Sequence, residues 1–351
     1  MSANLKDRAA WEASFPGLLW KQVFHRVPKI PSHIDLQGET AIVTGSSQGL
    51  GLECARQLLQ LGLSELILAV RSQSRGDEAA KQLQAKFPDA TIRVWILDME
   101  SYDSVKQFAS RCETLKRLDV VILNAGCGKG SYQRCGGDKG REVTLQVNFL
   151  ATMLLTILLV PILREKNSVV SEGKKYASTP GRLTIVGSDM ALWLKMEEPV
   201  GSLLDALDAE EGFEGFQQYG KTKLLLPMFI SKLAEVVSAD DVIINIVNPS
   251  STRGTALMRE SKGHYAAQMF VFLTGIIVGR NLVDGTRQYL HSALVLGKES
   301  HGSFGDWEIR PYPPIMYTEP GQRMTEKLWN ETLEELQIGD IEVQSQERSE
   351  A

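Results

Sequence analysis

An α/β fold, a doubly wound parallel sheet with helices on both faces, is expected from three observations. Short apolar runs alternate with helix-length segments along most of the 351 residues. The runs are rich in Val, Ile and Leu without clean polar alternation, as strands covered on both faces are. A cluster of three glycines among small polar residues, TGSSQGLG at 44–51, follows the first run directly.

The runs predict strands at 40–44, 65–70, 92–97, 119–123, 182–187 and 242–247. Helical patterns fall between them, at 49–61, 75–86, 101–116, 141–165 and 217–237. Strand–helix alternation with right-handed crossovers gives a parallel, doubly wound sheet. A proline-bearing extension, 1–37, precedes one domain over 38–337, and a polar tail occupies 338–351. Residues 189–216, with the acidic run DALDAEE and glycines at 201, 212 and 215, read as an insertion on the substrate side.

Composition narrows the function. The net charge of -5 is spread along the chain, with no basic block for nucleic acid and no acidic tail. The four cysteines, Cys54, Cys112, Cys127 and Cys135, form no CxxC pair, so a metal site is not expected. With no secretory leader, they point to a reducing, cytoplasmic compartment. Outside the N-terminus the longest apolar stretch is taken as Tyr265–Val278; interrupted by Gln268, it is too short to span a bilayer. Trp11, Phe15, Trp20 and Phe24 are expected to pack on the domain as an arm, with contact to a membrane surface as the alternative. Self-association is left open.

The glycine loop predicts a phosphate site. Gly45, Gly49 and Gly51 sit where the first strand turns into a helix beginning near Leu50. Such a helix start offers free N–H groups and the positive end of a dipole, and Ser46 and Ser47 can donate to phosphate oxygens. The spacing is Gly-x3-Gly-x-Gly, not the usual Gly-x-Gly-x2-Gly. Arg71 closes the second strand, where a dinucleotide fold meets the adenosine ribose; arginine there matches a 2′-phosphate and favours NADP(H) over NAD. Arg75 is a weaker helper. Asp98 and Met99 end the third strand, with Asp98 suited to the adenine amino group; Asn124, Ala125 and Gly126 end the fourth. Either group could be plain turn chemistry. Their shared place at successive strand ends favours a Rossmann-like cofactor crevice.

YGKTK places Tyr219 and Lys223 four residues apart on one helix face. A cation there would lower the tyrosine pKa toward proton exchange with an alcohol or carbonyl oxygen. Ser188 ends the fifth strand in the same crevice, Asn148 is a polar amide within a strongly apolar helix, and Pro249, Ser251 and Thr252 form a turn after the sixth strand that could approach the nicotinamide.

In this combination the sequence resembles the short-chain dehydrogenase/reductase superfamily over roughly 36–300. TGSSQGLG, Asp98, NAG at 124–126, Asn148, Ser188, YGKTK and NPSST occur in the family order. RSQSRGDEAA after the second strand, GGDKGREVTLQVNFL and the arm WEASFPGLLWKQ are similar to fungal, retinol-dehydrogenase-like members. The resemblance implies that Tyr219 is the acid–base and that Lys223 lowers its pKa and holds the nicotinamide ribose. It implies that Ser188 orients the substrate oxygen and that Asn148 places a water leading to Lys223. Two departures stand out: the usual Pro-Gly turn is Pro249-Ser250, and the threonine expected two places after Thr252 is Gly254.

The expected function is an NADP(H)-dependent oxidoreductase, a ketoreductase or alcohol dehydrogenase of secondary metabolite biosynthesis acting on a lipophilic small molecule of polyketide or terpenoid type. Residues 190–216 and 256–280 are expected to form a flexible apolar lid. Reduction of a conjugated C=C bond is the alternative chemistry, and a non-catalytic cofactor-binding module a further reading.

Overall fold

The structure is a computed structural model, and it describes residues 1–137, 140–168, 180–253 and 279–339. Eight strands among these form one sheet: β1 Thr40–Thr44, β2 Glu65–Val70, β3 Thr91–Ile96, β4 Val120–Leu123, β5 Gly181–Val186, β6 Val242–Val247, β7 Phe304–Gly305 and β8 Ile309–Arg310, in the order β3-β2-β1-β4-β5-β6-β7-β8. All neighbours are parallel except β7 and β8. The six expected strands are present with bounds shifted by at most a residue, and the short edge pair β7–β8 is additional.

The helices in chain order are α1 Lys6–Glu12, α2 Phe15–Phe24, α3 Gly49–Gln60, α4 Gln73–Gln84, α5 Tyr102–Cys112, α6 Val143–Leu145, α7 Ala151–Ser168, α8 Met190–Trp193, α9 Leu203–Asp208, α10 Gly215–Val236, α11 Leu282–Leu290 and α12 Glu319–Glu335. A π-helical turn, Gln146–Leu150, joins α6 to α7. One apolar core packs α5, α7, α10 and α12 on one face of the sheet; a second packs α3, α4 and α11 on the other. This two-sided burial is why β1, β4 and β6 are wholly buried. Pro161 and Pro227 lie inside α7 and α10. A mid-helix proline costs about 3 kcal/mol; burying one or two leucines on either helix offsets that.

A longer apolar run than Tyr265–Val278 emerges here. Val143–Asn167 is the one helical span among the described residues long and apolar enough to cross a membrane, yet 89% of its apolar window is buried inside the protein. It is a core helix. The 256–280 half of the expected lid falls mostly in 254–278, outside the described residues, as do 340–351 of the expected tail.

The other half, 190–216, is anchored rather than loose. Glu331 on α12 accepts from the Ser202 hydroxyl and the Leu203 and Leu204 amides at 2.9 Å each, capping α9. Asp208 accepts from the Glu142 amide at 2.5 Å and pairs with Arg134.

Candidate active site

The sheet order reverses between β1 and β4, and the crevice of a doubly wound fold opens there, at the carboxyl ends of the strands. The expected residues 45–51, 71, 98–99, 124–126, 188 and 249–252 follow the carboxyl ends of β1 to β6, and Asn148, Tyr219 and Lys223 come from the π turn and α10. Gly45 and Gly49 have left-handed backbones, φ +65° and +60°, which lets the chain leave β1 and enter α3 within a few residues. Gly51, inside the first turn of α3, lies against the Gly45 carbonyl and the Asn124 amide. No side chain caps α3, so the amides near Gly49, Leu50 and Gly51 are available to an anion. Ser47 is half-buried beside them. Ser46 is not a phosphate donor: it is wholly buried and its hydroxyl donates to the Val43 carbonyl at 2.8 Å.

At the adenosine end, Arg71 leaves β2 with its side chain 60% exposed and pairs with Glu100 at 2.5 Å. Asp98 accepts from the Glu100 amide at 3.1 Å, and Met99 is buried beneath it. Asn124 is bonded within the protein: its amide donates to the Thr44 carbonyl at 2.9 Å and its carbonyl accepts from Tyr289 at 3.2 Å. The Ala125 amide donates to the Thr44 hydroxyl at 2.9 Å. These bonds hold the ends of β1 and β4 side by side.

Deeper in, the turns after β4 and β5 meet α10. The π turn aims Asn148 at Cys127: its carbonyl accepts from the Cys127 amide at 2.8 Å, and its amide donates to the Cys127 carbonyl at 2.9 Å and to Thr222 at 3.1 Å. Gly126 gives close approach, since an added Cβ would lie 3.2 Å from the Asn148 carbonyl oxygen and 3.6 Å from Lys223 Nζ. Lys223 is 4% exposed and donates to the Val186 carbonyl at 2.7 Å, leaving two N–H donors. Burial pushes its pKa down to about 8. Tyr219 sits over it, with Nζ 5.8 Å from the ring centre.

The expectation that Tyr219 titrates low is corrected. Burial pushes its pKa up to about 12, against which a hydrogen bond from Ser188 acts in the lowering direction. Desolvation of the phenolate outweighs its neighbours. Ser188 also accepts from the Met190 amide at 3.2 Å, which fixes its hydroxyl at the end of β5.

The turn after β6 accounts for one departure from the family pattern. Ser250 adopts φ +56°, the left-handed conformation that favours the glycine of a Pro-Gly turn. Its amide donates to Asn248 at 3.0 Å and its hydroxyl to Gln288 at 3.3 Å; Gln288 in turn donates to the Pro249 carbonyl at 2.7 Å. Thr252 bonds the Pro249 carbonyl at 3.0 Å. The Ser251 carbonyl accepts from Gln22 of α2 at 2.9 Å and from the Arg280 amide at 2.8 Å. Arg280 also donates to the Lys21 and His25 carbonyls at 3.1 and 2.8 Å. The arm thus clasps the turn.

Thr222, Gln22, Gln288 and Tyr289 were not anticipated. Thr222 lay in view inside YGKTK; Gln288 acts across 38 and 39 residues and Gln22 and Tyr289 across more than a hundred, so none of the three leaves a local signal.

Comparison with known proteins gives the family. The family profile described as short chain dehydrogenase matches residues 39–171. The short chain dehydrogenase virL of Hypocrea virens is 51% identical over 338 residues, covering 96% of each chain. The chain belongs to the short-chain dehydrogenases. A second dehydrogenase relative, opdN of Penicillium oxalicum, is 48% identical over 86% of this chain and 97% of its own. The short-chain dehydrogenase fold is shared with a Shigella flexneri 2a enzyme solved in complex with NADP, at TM-score 0.53 and 21% identity over 78% of this chain and 99% of that one.

Proposed function

We propose that this oxidoreductase transfers hydride, with NADP(H), between the nicotinamide and a carbonyl or secondary alcohol carbon of a lipophilic small molecule. The observation that carries this reading is the half-buried Ser188 paired with buried Tyr219 beside Lys223 and Asn148, at the same carboxyl edge of the sheet as an uncapped helix start.

When bound, the cofactor supplies or accepts the hydride. Tyr219, kept protonated by burial, donates its proton to the oxygen that becomes the alcohol. Ser188 holds that oxygen. Lys223 has two N–H donors left for the ribose, and Asn148 steadies the Cys127 backbone beside it. Arg71 supports NADP over NAD, since an exposed guanidinium at the end of β2 can leave Glu100 for a 2′-phosphate. A cavity of about 750 Å3 walled by Leu192, Trp193, Leu194, Met196, Pro313 and Ile315 supports a bulky apolar substrate of polyketide or terpenoid type. Four free thiols fit a reducing cytoplasm, and relatives from Hypocrea and Penicillium fit fungal small-molecule metabolism.

Turnover with NADPH on a panel of apolar ketones and enones tests the chemistry: ketones are reduced and enones are not. Tyr219→Phe lowers kcat at least about 100-fold with NADPH binding kept; wild-type turnover by that variant would sink the assignment. Arg71→Asp weakens NADPH about 10-fold or more and leaves NADH nearly unchanged. Equal loss for both cofactors would return Arg71 to a structural role.

A further inference from the structure

The arm exposes an apolar face that the fold leaves open. Ten large apolar side chains are exposed among the described residues, and seven belong to residues 1–24: Met1, Trp11, Phe15, Leu19, Trp20, Val23 and Phe24, between 37% and 65% exposed. The expectation that the arm's aromatics pack on the domain is corrected here. The arm does dock, but through its opposite face: Ala9 and Gln22 are buried, and Lys21 pairs with the wholly buried Asp306 at 2.6 Å. On α2, positions 15 and 19 lie a turn apart and 20, 23 and 24 widen the stripe, with the Trp20 and Phe24 ring centres 4.5 Å apart; Trp11 is exposed on α1.

The charge around this face is positive. Residues 1–37 hold five Lys/Arg and three Asp/Glu, a net +2, so the remainder carries -7 of the total -5. Lys6, Arg8, Arg26 and Lys29 are exposed, against Asp7 and Asp35. We propose that α1 and α2 are a membrane-contact element, seated by their aromatic face in the headgroup boundary of an anionic bilayer. Trp and Phe on one face with Lys and Arg beside them is what an interfacial helix uses. A second copy fits less well. The exposed apolar area, on the order of 700 Å2, is near the about 800 Å2 per partner of a standard interface, so charge decides between the two occupants. Two-fold pairing would set the same four cations against one another. Ala13, between α1 and α2, lines the 750 Å3 cavity beside the arm, so a lipophilic molecule could pass from the bilayer without crossing water.

The full-length protein is sedimented with vesicles of phosphatidylcholine, with and without roughly a third phosphatidylserine. Binding is expected to be at least 10-fold tighter to the anionic vesicles and to weaken with salt. Trp20→Glu/Phe24→Glu and, separately, Arg26→Glu/Lys29→Glu each lower that binding at least 10-fold, while NADPH-dependent turnover of a small water-soluble ketone is unchanged. No vesicle binding by the wild type, or binding by both variants as tight as that of the wild type, overturns the proposal. So does a dimer in light scattering that Trp20→Glu/Phe24→Glu converts to monomer. Vesicle binding is read without catalysis, so its failure leaves the proposed chemistry standing.

Discussion

Lys223 carries a cost that its neighbours do not cancel. No carboxylate pairs with it among the described residues; its one bond is to the Val186 carbonyl. Its folded pKa, about 8, lies below the ordinary value of 10.5. Between those values the unfolded chain holds the proton more tightly than the folded one, so stability rises with pH across that window. Below about pH 8 the full cost of burying the cation is present. A shift of this size corresponds to about 3 kcal/mol. Lys223→Met is therefore expected to stabilise the protein by about 1–3 kcal/mol at pH 7, with activity lost. Urea unfolding at pH 7 and near pH 10 checks it: the gap between variant and wild type narrows at the higher pH. A destabilised variant at pH 7 would show that the Val186 bond outweighs desolvation. At this scale residue identities were legible, because YGKTK, NAG and the glycine loop are local patterns. The direction of the Tyr219 shift was not, because it depends on how many distant side chains exclude water from the ring.

The strands of the sheet were legible for the same local reason: β4 is an unbroken Val, Ile and Leu run, and β1, β2, β5 and β6 are dominated by β-branched residues and leucine. Strands β7 and β8, two residues each, are too short to hold a pattern, and nothing in Gln146–Leu150 announces a π turn. Helix α12 had readable signals, Thr318 as cap and Pro320 in the first turn, with Met324 and Leu328 a turn apart on its buried face. The arm's helical character was hidden by its prolines, although Pro16 occupies the permitted first turn of α2. One arm contact is open to measurement. Gln22 reaches the Ser251 carbonyl, so Gln22→Ala removes a hydrogen bond worth about 1 kcal/mol from the cofactor-side turn. We expect KM for NADPH to rise roughly fivefold with kcat nearly unchanged. A lowered Tm with NADPH affinity intact would show that Gln22 only fastens the arm.

Taken whole, the molecule places its apolar cavity between elements far apart in sequence. Leu192–Glu198 follow β5, and Pro313–Arg323 lead into α12. Leu194 and Met190 press against Gly220, so the cavity wall adjoins the turn bearing Tyr219, the proposed proton donor. Ile315→Trp narrows the cavity without touching Ser188, Tyr219 or Lys223. Its KM for a bulky ketone should rise about 10-fold or more, and that for a small one should not change. Equal effects on both would mean that substrates avoid this space. Half of the expected lid thus proved to be a wall, because an acidic, glycine-bearing segment reads as a loop until its partner on α12 is known.

Ser2 is buried against the far end of the chain. Its hydroxyl accepts from the Phe304 amide at 2.9 Å, and its carbonyl accepts from Tyr317 at 2.6 Å. Lys21 likewise waits for Asp306. During synthesis these residues leave the ribosome long before their partners and are therefore among the last to find them. Helices α1 and α2, with their tryptophans, must stay undocked while some three hundred residues follow. Closing so long a loop is slow, and for that interval both faces of the arm are open to chaperones or to a neighbouring nascent chain.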